Sequence, residues 1–239
     1  MGGRVRHHTL SLTAIIFDFD GTLAELNIDF PLMRKRIRNL IAGYDIPTDN
    51  IEDLFALEMI DAGKALIERA YPGEGYRFVD RAYDLIRHIE IEGARNGVLF
   101  NGIEELLRDL RTRKIKTGIV TRNCIEAVKG LFPNIDRYCD IVITRESTTK
   151  VKPHPEQLLI ALRALATDAA SAAMVGDHPM DISVGKDVGT YTIGVLSGYA
   201  HEEMLRDAGA DIILDHAAQI RDLIEDHSAV LERKGENHV

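Results

Sequence analysis

Six short apolar runs, rich in β-branched residues, alternate with segments of helical spacing, and this alternation is the strongest constraint on the fold. The runs cover residues 13–18, 115–121, 140–144, 171–176, 190–195 and 211–214. Between them, a segment such as 102–114 repeats leucine and isoleucine at the spacing of one helical face. Strands that alternate with helices form a parallel sheet covered on both faces, so we predict an α/β fold with a Rossmann-like sheet. Active sites in such sheets lie beyond the carboxyl ends of the strands.

One long stretch interrupts the alternation. Between the first strand and residue 98 the pattern predicts no strand but three helices, at about 29–42, 49–70 and 75–92, with Thr48 or Asp49 capping the second. We therefore expect a helical cap domain, residues 25–95, inserted after the first strand of a core formed by residues 1–24 and 96–239. An insertion at this point would lie over the carboxyl end of the sheet and could act as a lid.

Composition and charge exclude several classes of function. The chain has 239 residues, of which 45% are hydrophobic, enough for a sizeable core without metal or disulfide staples. Its net charge of -9 disfavours nonspecific binding to nucleic acid and to anionic membranes. Cys124 and Cys139 are isolated thiols, and no apolar run reaches the roughly 20 residues of a membrane span. We expect a cytoplasmic protein without nucleic-acid or membrane partners; the sequence does not predict its oligomeric state.

Two carboxylates follow the first predicted strand in the stretch "IIFDFDGT". Side chains at i and i+2 of an extended segment point to the same side, so Asp18 and Asp20 can converge while Phe19 turns into the core. Close carboxylates repel unless a proton or a cation lies between them. Gly21 allows a sharp turn, and the oxygen ligands suit a hard cation such as Mg²⁺. The alternative is an aspartate-rich turn that caps its own backbone.

Three further polar features fall at the carboxyl ends of later strands. Thr121, at the end of the second core strand, could bind phosphoryl oxygens together with the N–H groups of a following helix, although a simple helix cap is an alternative. In "KVKPHPEQLL", Lys152 precedes a proline and could reach into the site as a cation, with Lys150 as a competitor. In "GDHPMD", Asp177 and Asp181 lie on one side of a helix that begins near Pro179.

These four features, in this order, resemble the four motifs of the haloacid dehalogenase superfamily. The helical insertion resembles that superfamily's α-helical cap of the phosphoglycolate phosphatase type, and the resemblance extends over residues 13–220. It implies that Asp18 is the nucleophile, that Asp20 is the general acid and base, and that Thr121 and Lys152 hold the phosphoryl group. It also implies that Mg²⁺ is bound by Asp18, the backbone carbonyl of Asp20 and Asp177. From its position four residues after Asp177 we expect Asp181 to orient a ligand or Lys152.

The resemblance predicts a Mg²⁺-dependent phosphatase that hydrolyses a small phosphate ester, such as phosphoglycolate or a sugar phosphate, through an aspartyl-phosphate. Arg122 and Asn123, next to the expected phosphate position, are candidate substrate-binding residues. A phosphosugar mutase of the same superfamily is an alternative because the phosphoryl group on Asp18 could pass to a second hydroxyl. A receiver-type signalling module also joins acidic residues, Thr and Lys around Mg²⁺, but it is about half as long and its phosphorylated Asp lies on a middle strand.

Overall fold

A computed structural model describes residues 12–224, which form two compact units. One unit is Leu26–Gly97, and the other consists of the described residues up to Glu25 and from Val98 onward. The chain thus leaves the second of these units once, after Glu25, and returns to it at Val98. The predicted boundaries, 25 and 95, lie within two residues of these crossings, while the outer ends of the predicted core, 1–11 and 225–239, lie outside the described residues.

The larger unit is built on a six-stranded parallel sheet flanked by helices, as predicted. Its strands are β1 (Ala14–Phe17), β4 (Lys116–Val120), β5 (Ile141–Ile143), β6 (Ala172–Gly176), β7 (Tyr191–Val195) and β8 (Ile212–Leu214). Their order across the sheet is β5-β4-β1-β6-β7-β8, and every neighbouring pair is parallel. Five helices belong to this unit: α4 (Ile103–Thr112), α5 (Ile125–Leu131), α6 (Glu156–Ala164), α7 (Pro179–Val188) and α8 (Glu202–Asp207).

The sheet order places β1 at the centre, between β4 and β6. All four residues of β1 are fully buried, which explains why the run is uniformly aliphatic and aromatic rather than alternating. The sheet core includes Ile16, Val120, Leu158, Met174 and Val184. Because parallel strands end at the same edge, the residues after β1, β4 and β6 lie side by side.

A second, two-stranded sheet was not predicted. Here β2 (Ala24–Glu25) pairs antiparallel with β3 (Val98–Leu99). Two-residue strands are too short to show an alternating pattern, so the sequence carries no periodic signal for them. The pair joins the two chain segments that connect the larger unit with Leu26–Gly97.

The smaller unit consists of α1 (Phe30–Ala42), α2 (Ala56–Ala70) and α3 (Glu74–Arg95). Gly63 of α2 packs so closely on Ile41 and Phe78 that an added Cβ would lie 2.7 Å from the first side chain and 2.8 Å from the second. The small residue therefore lets α2 approach both neighbouring helices.

The predicted start of the second helix at residue 49 is wrong. Residues Asp49–Ile51 form a separate 3-10 turn, and α2 begins at Ala56 after Phe55, whose backbone is extended. Extended backbone cannot continue a helix, so the apolar spacing of this stretch spans two elements. Thr48 precedes the 3-10 turn without a side-chain capping bond.

Cys124 and Cys139 are both buried free thiols. Burial raises the pKa of the Cys139 thiol to about 12, which keeps it protonated at neutral pH. Within residues 12–224, the helices are too short or too polar to cross a bilayer.

Candidate active site

The turn after β1 is shaped by backbone hydrogen bonds. The carbonyl of Phe19 accepts hydrogen bonds from the N–H groups of Leu23 and Ala24, at 2.9 and 3.1 Å, while the Phe19 side chain is fully buried. Gly21 has a φ of +81°, in the left-handed region that favours glycine. The turn directs Asp18 toward the sheet edge, where 13% of its side chain is exposed.

Lys152 lies in the centre of the site. Its side chain is 2% exposed, and its Nζ lies 2.7 Å from Asp18 Oδ1 and 2.6 Å from Asp181 Oδ1. The other oxygen of Asp181 accepts a hydrogen bond from the N–H of His178 at the start of α7. The helix start predicted near Pro179 is confirmed. Lys150, the competing lysine, is exposed.

Asp177 follows β6 and is 4% exposed. Its Oδ1 accepts a hydrogen bond from Thr22 Oγ1 at 3.1 Å, and its Oδ2 accepts one from the N–H of Tyr199 at 2.6 Å. A Cβ at either Gly21 or Gly198 would overlap the Asp177 carboxylate. Two glycines therefore leave the space that this carboxylate occupies.

Three carboxylates converge on one point. Oxygen atoms of Asp18, Asp177 and Asp181 lie within 4.8 Å of one another. Burial raises the pKa of Asp18 to about 6 although the nearby Lys152 lowers it, and burial together with the Asp18 and Asp181 charges raises the pKa of Asp177 to about 8. Burial alone would lower the pKa of Lys152, but the charges of Asp18 and Asp181 raise it above its ordinary value. The single positive charge of Lys152 therefore cannot neutralise all three carboxylates when they are ionised.

Thr121, Arg122 and Asn123 follow β4, the neighbour of β1. Thr121 is 1% exposed, and its Oγ1 accepts a hydrogen bond from the N–H of Asn123 at 3.2 Å. Arg122 donates a hydrogen bond to Met180 Sδ at 3.3 Å, so its guanidinium lies against the start of α7. Asn123 is 8% exposed, and its carbonyl accepts a hydrogen bond from the N–H of Arg145.

The helix after Thr121 begins later than expected. α5 starts at Ile125, so the N–H of Asn123 belongs to a loop rather than to a helix start. Because this N–H is donated to Thr121, it orients the threonine hydroxyl.

The structure brings most of the predicted residues to one edge of the sheet. Asp18, Lys152 and Asp181 are in direct contact, and Asp177 completes the group of carboxylates. Asp20 is partly buried in the turn and forms an isolated bridge with Ala24. Its roles as proton donor and, through its carbonyl, as metal ligand stay predictions.

Two features of the site were missed by the sequence analysis. Gln157, which is fully buried, bonds to the backbone of Thr121, Thr144 and Lys152. His178 and Tyr199 stack with ring centroids 4.5 Å apart and an interplanar angle of 26°. Neither feature is part of a periodic sequence pattern. The sequence indicates only that His178 lies in the segment "GDHPMD" and Gln157 in the segment "KVKPHPEQLL".

Comparison with known proteins identifies the family of the chain. A family model described as haloacid dehalogenase-like hydrolase matches residues 15–195. The chain is 28% identical to the N-acetylmuramic acid 6-phosphate phosphatase of Pseudomonas putida over 222 residues, 90% of this chain and 97% of that protein. It is 25% identical to the phosphoglycolate phosphatase of Cupriavidus necator over 209 residues, 87% of this chain and 90% of that protein.

Structural similarity extends over nearly the whole chain. The crystal structure of β-phosphoglucomutase from Clostridium difficile superposes with a TM-score of 0.63 at 21% identity, covering 94% of this chain and 98% of that one. This similarity concerns the fold. Since the family match alone spans more than half of the sequence, the chain belongs to the haloacid dehalogenase-like hydrolase family.

Proposed function

We propose that this protein is a Mg²⁺-dependent phosphatase that hydrolyses a small phosphorylated metabolite through an aspartyl-phosphate on Asp18. The observation that carries the proposal is the buried contact of Lys152 with both Asp18 and Asp181 beside the Asp177 carboxylate. The named relatives, two phosphatases of small phosphate esters, support the same reaction class.

The residues present fit a divalent cation. Asp18, Asp177 and Asp181 bring three carboxylates together around one lysine. Burial first, and neighbouring carboxylates second, raise the pKa of Asp18 and of Asp177, and a bound cation would stabilise their charged forms. Hard oxygen ligands suit Mg²⁺. Asp18, Asp177 and the carbonyl of Asp20 would hold the ion, and Asp181 would orient Lys152, from which it accepts a hydrogen bond. The ion would supply charge neutralisation of the phosphate oxygens.

Asp18 is proposed to attack phosphorus with a carboxylate oxygen. A bond between this oxygen and phosphorus forms as the ester oxygen leaves, and the products are an aspartyl-phosphate and an alcohol. Lys152 holds Oδ1 of Asp18 at 2.7 Å and so fixes the orientation of the carboxylate. The second oxygen is then the one directed to the substrate.

Asp20 is proposed to move the proton in both halves of the reaction. It donates a proton to the leaving ester oxygen and then takes one from the water that attacks the aspartyl-phosphate. Inorganic phosphate is released and Asp18 returns to its starting state. Asp20 lies two residues after Asp18 in the sequence, and it is partly buried.

Thr121 and Lys152 are proposed to bind the phosphoryl oxygens. The Thr121 hydroxyl accepts a hydrogen bond from the Asn123 N–H, so its own proton can be donated to a phosphate oxygen. The Lys152 ammonium has three protons, and two are donated to Asp18 and Asp181, which leaves one for the substrate. Such donors stabilise the charge that develops during phosphoryl transfer.

The leaving group is proposed to be a sugar. Tyr199 is 61% exposed, its backbone N–H bonds to Asp177, and its ring stacks on His178. An exposed aromatic ring on a residue whose backbone bonds to Asp177 suits the apolar face of a sugar ring better than it suits glycolate. The relative from P. putida is named for a sugar phosphate, which supports this choice.

A phosphosugar mutase would use the same aspartyl-phosphate. It differs in passing the phosphoryl group to a second hydroxyl instead of to water, and a mutase shares this fold. Release of phosphate from a monophosphate, without a bisphosphate activator, would favour the hydrolase over the mutase.

The test is a panel of phosphorylated metabolites incubated with the full chain and Mg²⁺, with released phosphate measured. The panel includes N-acetylmuramic acid 6-phosphate, hexose phosphates and phosphoglycolate. We expect phosphate release, fastest with a sugar phosphate. No phosphate release from any member, with the protein folded, would contradict the proposed function.

A further inference from the structure

Gln157 lies in the first turn of α6 and is fully buried. Its Oε1 accepts a hydrogen bond from the N–H of Lys152 at 3.1 Å. Its Nε2 donates to the carbonyl of Thr121 at 2.8 Å and to the carbonyl of Thr144 at 3.2 Å. One side-chain amide therefore joins three backbone segments that are distant in sequence.

Two of these segments are the ends of neighbouring strands. Thr121 follows β4 and Thr144 follows β5, and both residues are at least 97% buried. Carbonyl groups buried at a strand end need a partner. Gln157 supplies one for Thr121 and an additional one for Thr144, whose carbonyl also accepts a hydrogen bond from the N–H of Ser147 at 3.1 Å. The third segment carries Lys152, whose backbone N–H is fixed by the same amide.

We infer that Gln157 is a positioning residue that sets the Lys152 ammonium and the Thr121 hydroxyl at a fixed separation. It contacts the backbone of both residues, while their side chains are the proposed phosphoryl-binding groups. The inference rests on the proposed function. Small displacements of such groups are costly, because a shift of about 1 Å at a reacting centre can reduce the rate about 100-fold.

The side-chain amide of Gln157 matches the hydrogen-bonding groups of its three backbone partners. One oxygen that accepts and one nitrogen that donates twice match the N–H of Lys152 and the carbonyls of Thr121 and Thr144. A methionine of similar length could form none of these three hydrogen bonds. A glutamate would place a negative charge against two carbonyl oxygens. Asparagine keeps the amide but is one methylene shorter.

The test compares Gln157→Met with the wild-type full chain on the best substrate of the panel, with Mg²⁺. We expect kcat to fall about tenfold or more and KM to change less, since the groups are misplaced rather than removed. Thr192→Val is the matched control: Thr192 is also fully buried in the sheet, and its Oγ1 donates to Asp211 Oδ2 at 2.8 Å, away from the site. We expect this control to lose stability but to keep kcat.

A double-variant cycle separates positioning from general stability. If Gln157 acts through Thr121, adding Gln157→Met to Thr121→Ala lowers kcat less than it does in the wild type. Should Gln157→Met be unfolded at the assay temperature, Gln157→Asn takes its place with the same expectations. Wild-type kcat in the folded variant, or fully additive losses in the cycle, would overturn the inference. A wild-type protein without phosphatase activity would instead contradict the proposed function.

Discussion

Lys152 donates a hydrogen bond to Asp18 at 2.7 Å across 134 positions of the sequence. The same ammonium contacts Asp181 at 2.6 Å, so one cation fixes two carboxylates that follow different strands. This contact connects the fold with the proposed chemistry, because it needs β1, β6 and the loop before α6 to be in place together.

Replacing Lys152 is expected to affect both stability and activity. Lys152→Met leaves Asp18 and Asp181 buried without their cation, and breaking a buried ion pair from one side costs about 3–5 kcal/mol at neutral pH. We expect a matching loss in the free energy of unfolding and a loss of kcat beyond tenfold. Chemical denaturation and phosphate release measure the two effects. Lys150→Met is the control, since Lys150 is exposed; equal damage from both variants would contradict the assignment of Lys152.

The positions of four of the candidate residues follow from the topology, while their roles stay predictions. Asp18 and Asp177 directly follow strands, Lys152 lies in the loop before α6 and Asp181 lies in the first turn of α7, and a parallel sheet brings these points to one edge. The proton-transfer role of Asp20 depends on the substrate and stays a prediction.

Other features could not be predicted because they depend on tertiary contacts. Gln157 looks like any polar residue in a helical first turn, and only the packing of α6 under β4 and β5 gives it three backbone partners. Tyr199 has no motif of its own, and its stacking on His178 depends on how the loop after β7 folds. The helix predicted from residue 49 was wrong because Phe55 adopts an extended backbone inside an apolar pattern.

Without a divalent cation, stability is expected to fall as the pH rises. The pKa of Asp177 is about 8 in the folded protein and 3.8 ordinarily, so the folded state binds more protons between these values. The contribution of Asp177 to the free energy of unfolding is therefore fully present below about pH 4 and is lost progressively as the pH rises to about 8. Thermal unfolding after treatment with a chelator measures the trend, and Asp177→Asn should flatten it. A metal-free wild type whose trend matches that of Asp177→Asn would contradict the raised pKa.

Mg²⁺ is expected to raise the unfolding temperature more at pH 8 than at pH 5. Carboxylate ligands must be deprotonated to bind the ion, and at pH 5 protons compete for Asp18 and Asp177. Thermal unfolding with and without Mg²⁺ at both pH values measures the difference. Phosphate release that survives exhaustive chelation would rule out a role for the metal.

Gly21→Ala is expected to damage the site beyond its backbone strain. Gly21 has a φ of +81°, and a Cβ there would overlap the Asp177 carboxylate. Gly189 is a matched control, since its φ is +87° but an added Cβ meets nothing within 4 Å. The left-handed conformation alone costs about 1–2 kcal/mol, which Gly189→Ala should show with activity retained. Gly21→Ala should lose more stability and most of kcat; identical behaviour of the two variants would contradict the close packing on Asp177.

Removal of the Tyr199 ring is expected to raise KM for sugar phosphates more than KM for phosphoglycolate. Tyr199→Ala removes the exposed ring that stacks on His178, and a stacking contact is worth about 0.5–1.5 kcal/mol, or about 2- to 12-fold in KM. Tyr199→Phe keeps the ring and should retain the wild-type KM. Steady-state kinetics on both substrates measure the difference. An equal rise in KM for sugar phosphate and phosphoglycolate would argue against a sugar-binding role.

The Asp18 carboxylate is proposed to accept the phosphoryl group. Asp18→Asn keeps the shape of the side chain and removes its nucleophilic oxygen anion, so the fold should be retained. The decisive measurement is kcat of the folded Asp18→Asn variant on the best substrate. We expect less than about 1% of the wild-type value, and residual activity above that level would contradict covalent catalysis by Asp18.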